Sequence, residues 1–124
     1  RLTPVREELQ AAIDADAESF NSVMKSYKDA KTADEKSGAA SIEAALQCAT
    51  AVPLGVAEKA HEILQIAKSL DPITNPNMKS DLTTARALAG AAITGALANV
   101  EINLASSKDH AFAADVRRRT AILS

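Results

Sequence analysis

Two asparagines, Asn99 and Asn103, stand four residues apart within a segment that otherwise has the composition of an apolar helix. Asparagine is a poor helix-interior residue, and its amide needs hydrogen-bond partners there. At about 100° per residue, the two amides share one stripe with Asp81, Leu88, Ala92 and Gly95. A stripe with polar ends and little bulk between them predicts the floor of a groove that binds a polar, planar ligand. The partners of the amides would be that ligand, another helix or a second subunit.

Asp16 is the carboxylate best placed to transfer a proton, because it flanks an apolar stripe one turn before Phe20. Burial there would raise the pKa of Asp16 and make it a usable proton carrier. The alternative is an ordinary solvated helix residue, which the spacing alone favours. Ser80 and Asp81 also have an alternative to a role in the site, because either residue could be the N-cap of a helix.

Other chemistry is poorly supported by the sequence. It has no phosphate-binding glycine loop, no nucleophile elbow and no His/Cys spacing typical of a metal site. His61 and His110 are far apart in the chain, which indicates surface or packing histidines. Cys48 is the single cysteine, so it cannot form an intrachain disulfide. We expect a buried, inert thiol in a reducing cytosol.

The length and bulk composition indicate one soluble domain, which we expect in the cytoplasm. The chain has 124 residues, 47% of them hydrophobic, and a net charge of −2. This charge argues against nucleic-acid binding, and the basic run Arg117–Arg119 is typical of the last turn of a helix. No apolar run reaches about 18 residues, and no signal peptide opens the chain, so we expect neither a membrane span nor secretion. Because the chain opens on Arg1 rather than Met, we expect a fragment or a processed piece.

The periodicity predicts an all-α fold, an antiparallel multi-helix bundle of about five helices around a central small-residue helix. Thr3 would cap the first helix, and Thr32 with Glu35 would form a capping box for the second. Pro53 predicts a break. The apolar face of the first helix is predicted to be core: Leu9, Ile13, Phe20, Met24 and Tyr27. The predicted spans are 3 to about 30, 33 to 51, 53 to 70, 81 to about 105, and 109 onward. We also expect a homodimer, because the last helix needs a neighbour for its apolar face.

Four ordered stretches resemble the cyclodeaminase domain of formiminotransferase-cyclodeaminase and its stand-alone bacterial relatives, the methenyltetrahydrofolate cyclohydrolases. Asp16–Phe20 resembles the family's acidic helix, and Val52–Leu54 with Ala57 and Glu58 resembles its proline-started helix. Asn75–Asp81 resembles its Asn-x-x-x-x-Ser-Asp loop, and Asn99–Leu104 resembles its most distinctive signature. Family members usually begin with a further helix after a Pro-Gly-Gly-Gly-Ser-type turn. This sequence starts where the family's second helix would start.

The resemblance implies a folate enzyme of one-carbon metabolism. The cyclodeaminase closes 5-formiminotetrahydrofolate to 5,10-methenyltetrahydrofolate and releases ammonia, and the cyclohydrolase opens the methenyl form with water. Both pass through a tetrahedral carbon between N5 and N10, without a metal or a separate cofactor. Asp16 would be the acid/base. The folate would be bound by Phe20, Asn75, Asn77, Ser80, Asp81, Asn99 and Asn103.

Two other hypotheses fit the same residues. One is a non-catalytic folate-binding module that keeps the groove. The other is a helical oligomerisation domain in which Asn99 and Asn103 form hydrogen bonds across a subunit interface.

Overall fold

Four α-helices and two short 3-10 turns make up the ordered elements of a computed structural model that describes residues 1–124. The chain is all-α, without strands. The 3-10 turns, Asp71–Ile73 and Pro76–Met78, join the second and third helices. The helices are α1 (Leu2–Ala30), α2 (Glu35–Leu70), α3 (Lys79–Ser106) and α4 (His110–Ala121).

The prediction of about five helices was wrong because Pro53 does not break the chain. It lies buried inside the continuous helix α2. A proline in a helix interior lacks the N–H that would bond the carbonyl four residues earlier, here that of Ala49. The side-chain amide of Asn103 donates to this carbonyl at 3.3 Å. A hydrogen bond from α3 thus replaces the backbone bond that Pro53 removes.

Helix ends were predicted better than helix caps. α1 ends at Ala30 as expected, but Arg1 rather than Thr3 occupies its N-cap position. Asp34, not Thr32, caps α2, because its carboxylate accepts from the N–H of Ser37 at 2.7 Å. Asp109, where the last helix was predicted to begin, is the N-cap of α4, and its carboxylate accepts from the N–H of Phe112 at 3.0 Å.

The central helix is α2, not the small-residue helix that the sequence suggested. α2 packs against α1 on one side and α3 on the other. Arg1 at the start of α1 forms an ion pair with Glu62 late in α2. Near the opposite ends of the two helices, Gly38 lies so close to Ala30 that an added Cβ would be 3.0 Å from the Ala30 Cβ. Both contacts require α1 and α2 to run in opposite directions.

The main core cluster joins α2, α3 and α4. Its buried residues are Leu54, Ala57, Val100, Leu104, Ala113, Val116 and Leu123. Two ion pairs hold α4 at the edge of this cluster: Arg117 with Glu101 of α3 at 3.0 Å, and Arg119 with Glu58 of α2 at 2.6 Å. The basic run therefore lies at the end of a helix as predicted, and two of its arginines bind carboxylates of neighbouring helices.

The apolar face of α1 is not core, contrary to prediction. Phe20 is 62% exposed and Ile13 71% exposed, and Val5 is the buried residue of this helix. α1 instead contacts α2 through a line of mostly small, partly buried residues: Ala12, Ala15, Ser19, Val23, Ser26 and Ala30. Small residues let two helices approach closely, and the bulky stripe then lies to one side of the contact. Cys48, also predicted to be buried, is exposed.

Two segments are long and apolar enough to cross a membrane, Glu35–Ile73 and Pro76–Ser106. The two segments meet these criteria by length and composition only, and the core helix of a soluble protein meets them as well. These segments contain α2 and α3, which pack against each other here.

Candidate functional site

A groove runs between α1 and α3, with α2 beneath it. Two adjoining cavities form its middle. We call the first, of about 330 Å³, the apolar cavity; it is lined by Leu9, Ala12, Ile13, Asp16, Val52, Pro53, Val56, Ala92, Gly95, Ala96 and Asn99. We call the second, of about 250 Å³, the polar cavity; it is lined by Asp16, Ser19, Phe20, Val23, Tyr27, Leu46, Ala49, Asn99, Asn103 and Ser106.

Asp16 and Asn99 line both cavities and so mark their junction. Asp16 comes from α1 and Asn99 from α3, on opposite sides of the groove. Asp16 is exposed, as expected for the solvated helix residue that its spacing alone favoured. Asn99 is partly buried. A carboxylate that exchanges protons and an amide that both donates and accepts hydrogen bonds therefore meet at one place.

Asn103 lies one turn beyond Asn99 and lines the polar cavity. Its NH₂ group donates to the carbonyl of Ala49, as described above, which fixes the plane of the amide. The Oδ1 of the same amide has two lone pairs and stays available as an acceptor for a ligand. One hydrogen-bond partner of the Asn103 amide is therefore another helix, α2.

Three hydroxyl groups join the predicted residues in the polar cavity: those of Ser19, Tyr27 and Ser106. Phe20, which the resemblance assigns to folate binding, also lines this cavity. The hydroxyl of Ser19 donates to the backbone carbonyl of Asp16 at 2.8 Å. Ser19 and Ser106 were missed by sequence analysis, although Ser106 stands one turn beyond Asn103 on the same stripe. This helical spacing from Asn103 could have identified Ser106 as a residue of the groove.

The structure does not bring the other predicted residues to this groove. Asn75, Asn77, Ser80 and Asp81 line neither cavity. The side chain of Asn75 instead accepts from the backbone N–H of Asn77 at 3.0 Å, within the loop. Asp81 is exposed in the first turn of α3, and five helical turns, about 27 Å, separate it from Asn99. Met78, not Ser80 or Asp81, occupies the N-cap position of α3.

The histidines contribute nothing to the groove. His110 is exposed at the first residue of α4. The Nδ1 atom of His61 is buried without a hydrogen-bond partner, and its Nε2 lies 3.3 Å from the amide nitrogen of Gln65. No group of three or more His, Cys, Asp or Glu side chains is placed to hold a metal ion.

Glu43 of α2 forms hydrogen bonds at one end of the groove, with the turn that connects α3 and α4. Its carboxylate accepts from the Ser107 hydroxyl and from the backbone N–H of Lys108, the latter at 2.9 Å. These hydrogen bonds stabilise the charged carboxylate and hold the pKa of Glu43 below its usual value. The hydrogen bond from Ser107 has the largest effect. Burial of the group opposes these hydrogen bonds with a smaller effect. The carboxylate thus ties α2 to the α3–α4 turn.

We expect Glu43→Gln to lower the free energy of unfolding by about 1 kcal/mol at neutral pH, because an amide accepts these bonds less strongly. A lowered pKa stabilises the fold above the ordinary glutamate value of about 4.3. The contribution is lost as the pH falls through the lower, folded-state value. Urea unfolding of wild type and variant at neutral pH and at about pH 3 measures this. A difference between the two proteins that stays equal at both pH values would contradict the assignment.

Comparison with known proteins gives a consistent set of relatives. The family described as formiminotransferase-cyclodeaminase matches residues 1–121. The formimidoyltransferase-cyclodeaminase of Sus scrofa is 35% identical over 117 residues, 93% of this chain and 22% of the relative. A methenyltetrahydrofolate cyclohydrolase of Methylorubrum extorquens is 35% identical over 111 residues, 88% of this chain and 53% of the relative. The chain therefore spans about a fifth of the first relative's length and about half of the second's.

Proposed function

The chain belongs to the formiminotransferase-cyclodeaminase family, and from this premise we propose that it acts on the N5–C–N10 bridge of a tetrahydrofolate, as a cyclodeaminase or a methenyltetrahydrofolate cyclohydrolase. Its relatives are named for the same two activities. The observation that supports the proposal best is the meeting of Asp16 and Asn99 at the junction of the two cavities.

In the proposed chemistry, the bridge carbon lies at that junction and passes through a tetrahedral intermediate. In the hydrolytic direction, water adds to the methenyl carbon and the bond from that carbon to N5 breaks, which leaves a formyl group on N10. The Asp16 carboxylate accepts one proton from the attacking water and returns it to N5 as that nitrogen leaves. The second proton of the water is released to solvent as the formyl C=O bond forms, which balances the positive charge of the methenyl form. In the deaminating direction, N10 attacks the formimino carbon, and the same carboxyl group moves the N10 proton to the departing ammonia.

The amides would serve to orient the substrate. The pterin ring is planar and carries several donors and acceptors, so it suits the polar cavity with its two amides and three hydroxyls. Asn99 would contact the ring next to the reacting bridge, and the Oδ1 of Asn103 would accept from a ring N–H group. Neither reaction requires a separate cofactor in this proposal.

The assembly and location of the protein are part of the same proposal. We propose a cytoplasmic homodimer that contacts neither nucleic acid nor membrane. The exposed apolar side chains Leu88, Ile102 and Ile122, which line neither cavity, would be covered in the interface with a partner subunit. The loop that holds Asn75, Asn77, Ser80 and Asp81 is retained as a predicted folate-binding element, now separate from the groove within one chain.

The proposal is tested by the near-ultraviolet absorbance of 5,10-methenyltetrahydrofolate with and without this chain. We expect the absorbance to fall faster than in a buffer blank if the chain hydrolyses the bridge. It should rise from 5-formiminotetrahydrofolate if the chain closes the bridge. Binding of folate without either change would support the non-catalytic module instead. A chain that binds no folate but sediments as an oligomer would support the oligomerisation domain.

A further inference from the structure

Arg6 extends the site beyond the two cavities described above. Resting on the proposed function, the geometry points to Arg6 as the residue that binds the carboxylates of the folate's glutamate tail. The substrate then has one direction in the groove. The pterin ring lies toward the α3–α4 turn, and the tail lies toward the start of α1.

Arg6 lies on the face of α1 that lines the groove. It stands seven residues before Ile13, so the two share one face of α1. With Leu2, Thr3, Leu9 and Ile63 it lines a third cavity of about 300 Å³, which we call the end cavity. Leu9 also lines the apolar cavity, so the two adjoin.

The charge of Arg6 is free to bind an anion. It makes no ion pair, whereas Arg1 and Lys59 nearby are neutralised by Glu62 and Glu8. No acidic residue lines the end cavity. A guanidinium group without a partner is well suited to a carboxylate, which it can bind through two parallel hydrogen bonds.

The opposite end of the groove is less suitable for a carboxylate. There Lys108 lines a cavity of about 320 Å³, but Glu35 and Glu43 line the same cavity. An anionic tail in that position would meet two carboxylates for one cation. Coulomb repulsion therefore favours the Arg6 end.

The order of chemical groups along the groove also matches the order of groups in a folate. The polar cavity suits the pterin, the junction suits the bridge, and the apolar cavity suits the aminobenzoyl ring. By helical rise, the Cα atoms of Arg6 and Asp16 are about 15 Å apart along α1. Arg6 therefore lies beyond the apolar cavity, on the side away from the polar cavity.

The test compares a ligand that has a tail with one that lacks it. Calorimetric titration of 5-formyltetrahydrofolate and of 6-methyltetrahydropterin is performed with wild type, Arg6→Gln and Lys108→Gln. We expect Arg6→Gln to raise the Kd of the folate about fivefold and to leave the Kd of the tetrahydropterin unchanged. Lys108→Gln should change neither. Added salt should weaken folate binding to wild type more than to Arg6→Gln.

The other outcomes separate this inference from the proposed function. If wild type binds folate and Arg6→Gln binds it equally well, the tail does not contact Arg6 and the inference is overturned. If Lys108→Gln is the variant that loses affinity, the substrate lies in the opposite direction. Absence of any folate binding by wild type would overturn the proposed function and this inference together. Arg6 is exposed, so its replacement should leave the circular dichroism spectrum unchanged.

Discussion

Replacement of Asp16 by Asn is expected to lower turnover of 5,10-methenyltetrahydrofolate by about 10²- to 10⁴-fold, the usual contribution of a general acid–base group. Asn keeps the size of the side chain and its hydrogen-bonding capacity but cannot accept a proton at neutral pH. Asp16 is exposed and makes no side-chain hydrogen bond within the chain, so the substitution should leave the fold intact. The Kd of 5-formyltetrahydrofolate should change little. The measurement is the initial rate of absorbance change at saturating substrate.

Asp14→Asn is the matched control for this prediction. Asp14 stands two residues earlier on the same helix, is exposed, and lines neither the apolar nor the polar cavity. The Asp14→Asn substitution changes the net charge of the protein as Asp16→Asn does, but it leaves the lining of both cavities unchanged. We expect its turnover to equal that of wild type. If both variants lost turnover equally, the effect would be due to the charge of α1 as a whole, and Asp16 would not be the acid/base.

Helical spacing accounts for only one side of the groove. The stripe of small residues between Ala92 and Asn103, which was predicted to be the floor, lies along that side, and α2 lies beneath the groove instead. The opposite side, from α1, was harder to foresee. Phe20 and Ile13 have the spacing of core residues, but α1 approaches α2 through alanines and serines instead. Which face of an amphipathic helix is buried depends on its neighbours, and one helix's sequence does not contain that information.

Pro53 and Asn103 show why the interruption of α2 was predicted wrongly. Taken alone, a proline in a helix loses a hydrogen bond and strains the preceding turn, which predicts a break. The compensating hydrogen bond comes from a residue 50 positions later in the chain, and it exists only once α3 packs against α2. The same contact gives Asn103 one hydrogen-bond partner on another helix, which was one of the three alternatives that the sequence left open. Long-range pairing of this kind is invisible to local patterns.

Asn75, Asn77 and Ser80 were assigned to the site by resemblance only, whereas Asp81 was also assigned by its place on the stripe of α3. A resemblance orders residues along the chain and says nothing of the distance between them. The rise of α3 then separates Asp81 from Asn99 by about 27 Å. Within one chain, the groove and the loop are therefore two places, and a single folate molecule held by both would need residues from a second subunit.

A leucine at position 95 is expected to block the groove without harming the fold. No atom lies within 4 Å of a Cβ built on Gly95, and Gly95 lines the apolar cavity. The new side chain would occupy the space proposed for the aminobenzoyl ring. We expect Gly95→Leu to raise the Kd of 5-formyltetrahydrofolate at least about tenfold, which corresponds to about 1.4 kcal/mol. Stability should stay equal or rise by up to about 1 kcal/mol, because glycine is unfavourable inside a helix.

Ala87→Leu separates blockage of the groove from a general effect of bulk on α3. Ala87 is exposed on the same helix and lines neither cavity, so the variant should bind folate as wild type does. A Gly95→Leu protein that binds folate normally would place the ring outside the apolar cavity, and the direction assigned through Arg6 would fail with it. A Gly95→Leu protein that loses folate but still binds 6-methyltetrahydropterin would locate the ring there. That outcome depends on the wall of the groove alone, so it tests the site independently of the proton chemistry of Asp16.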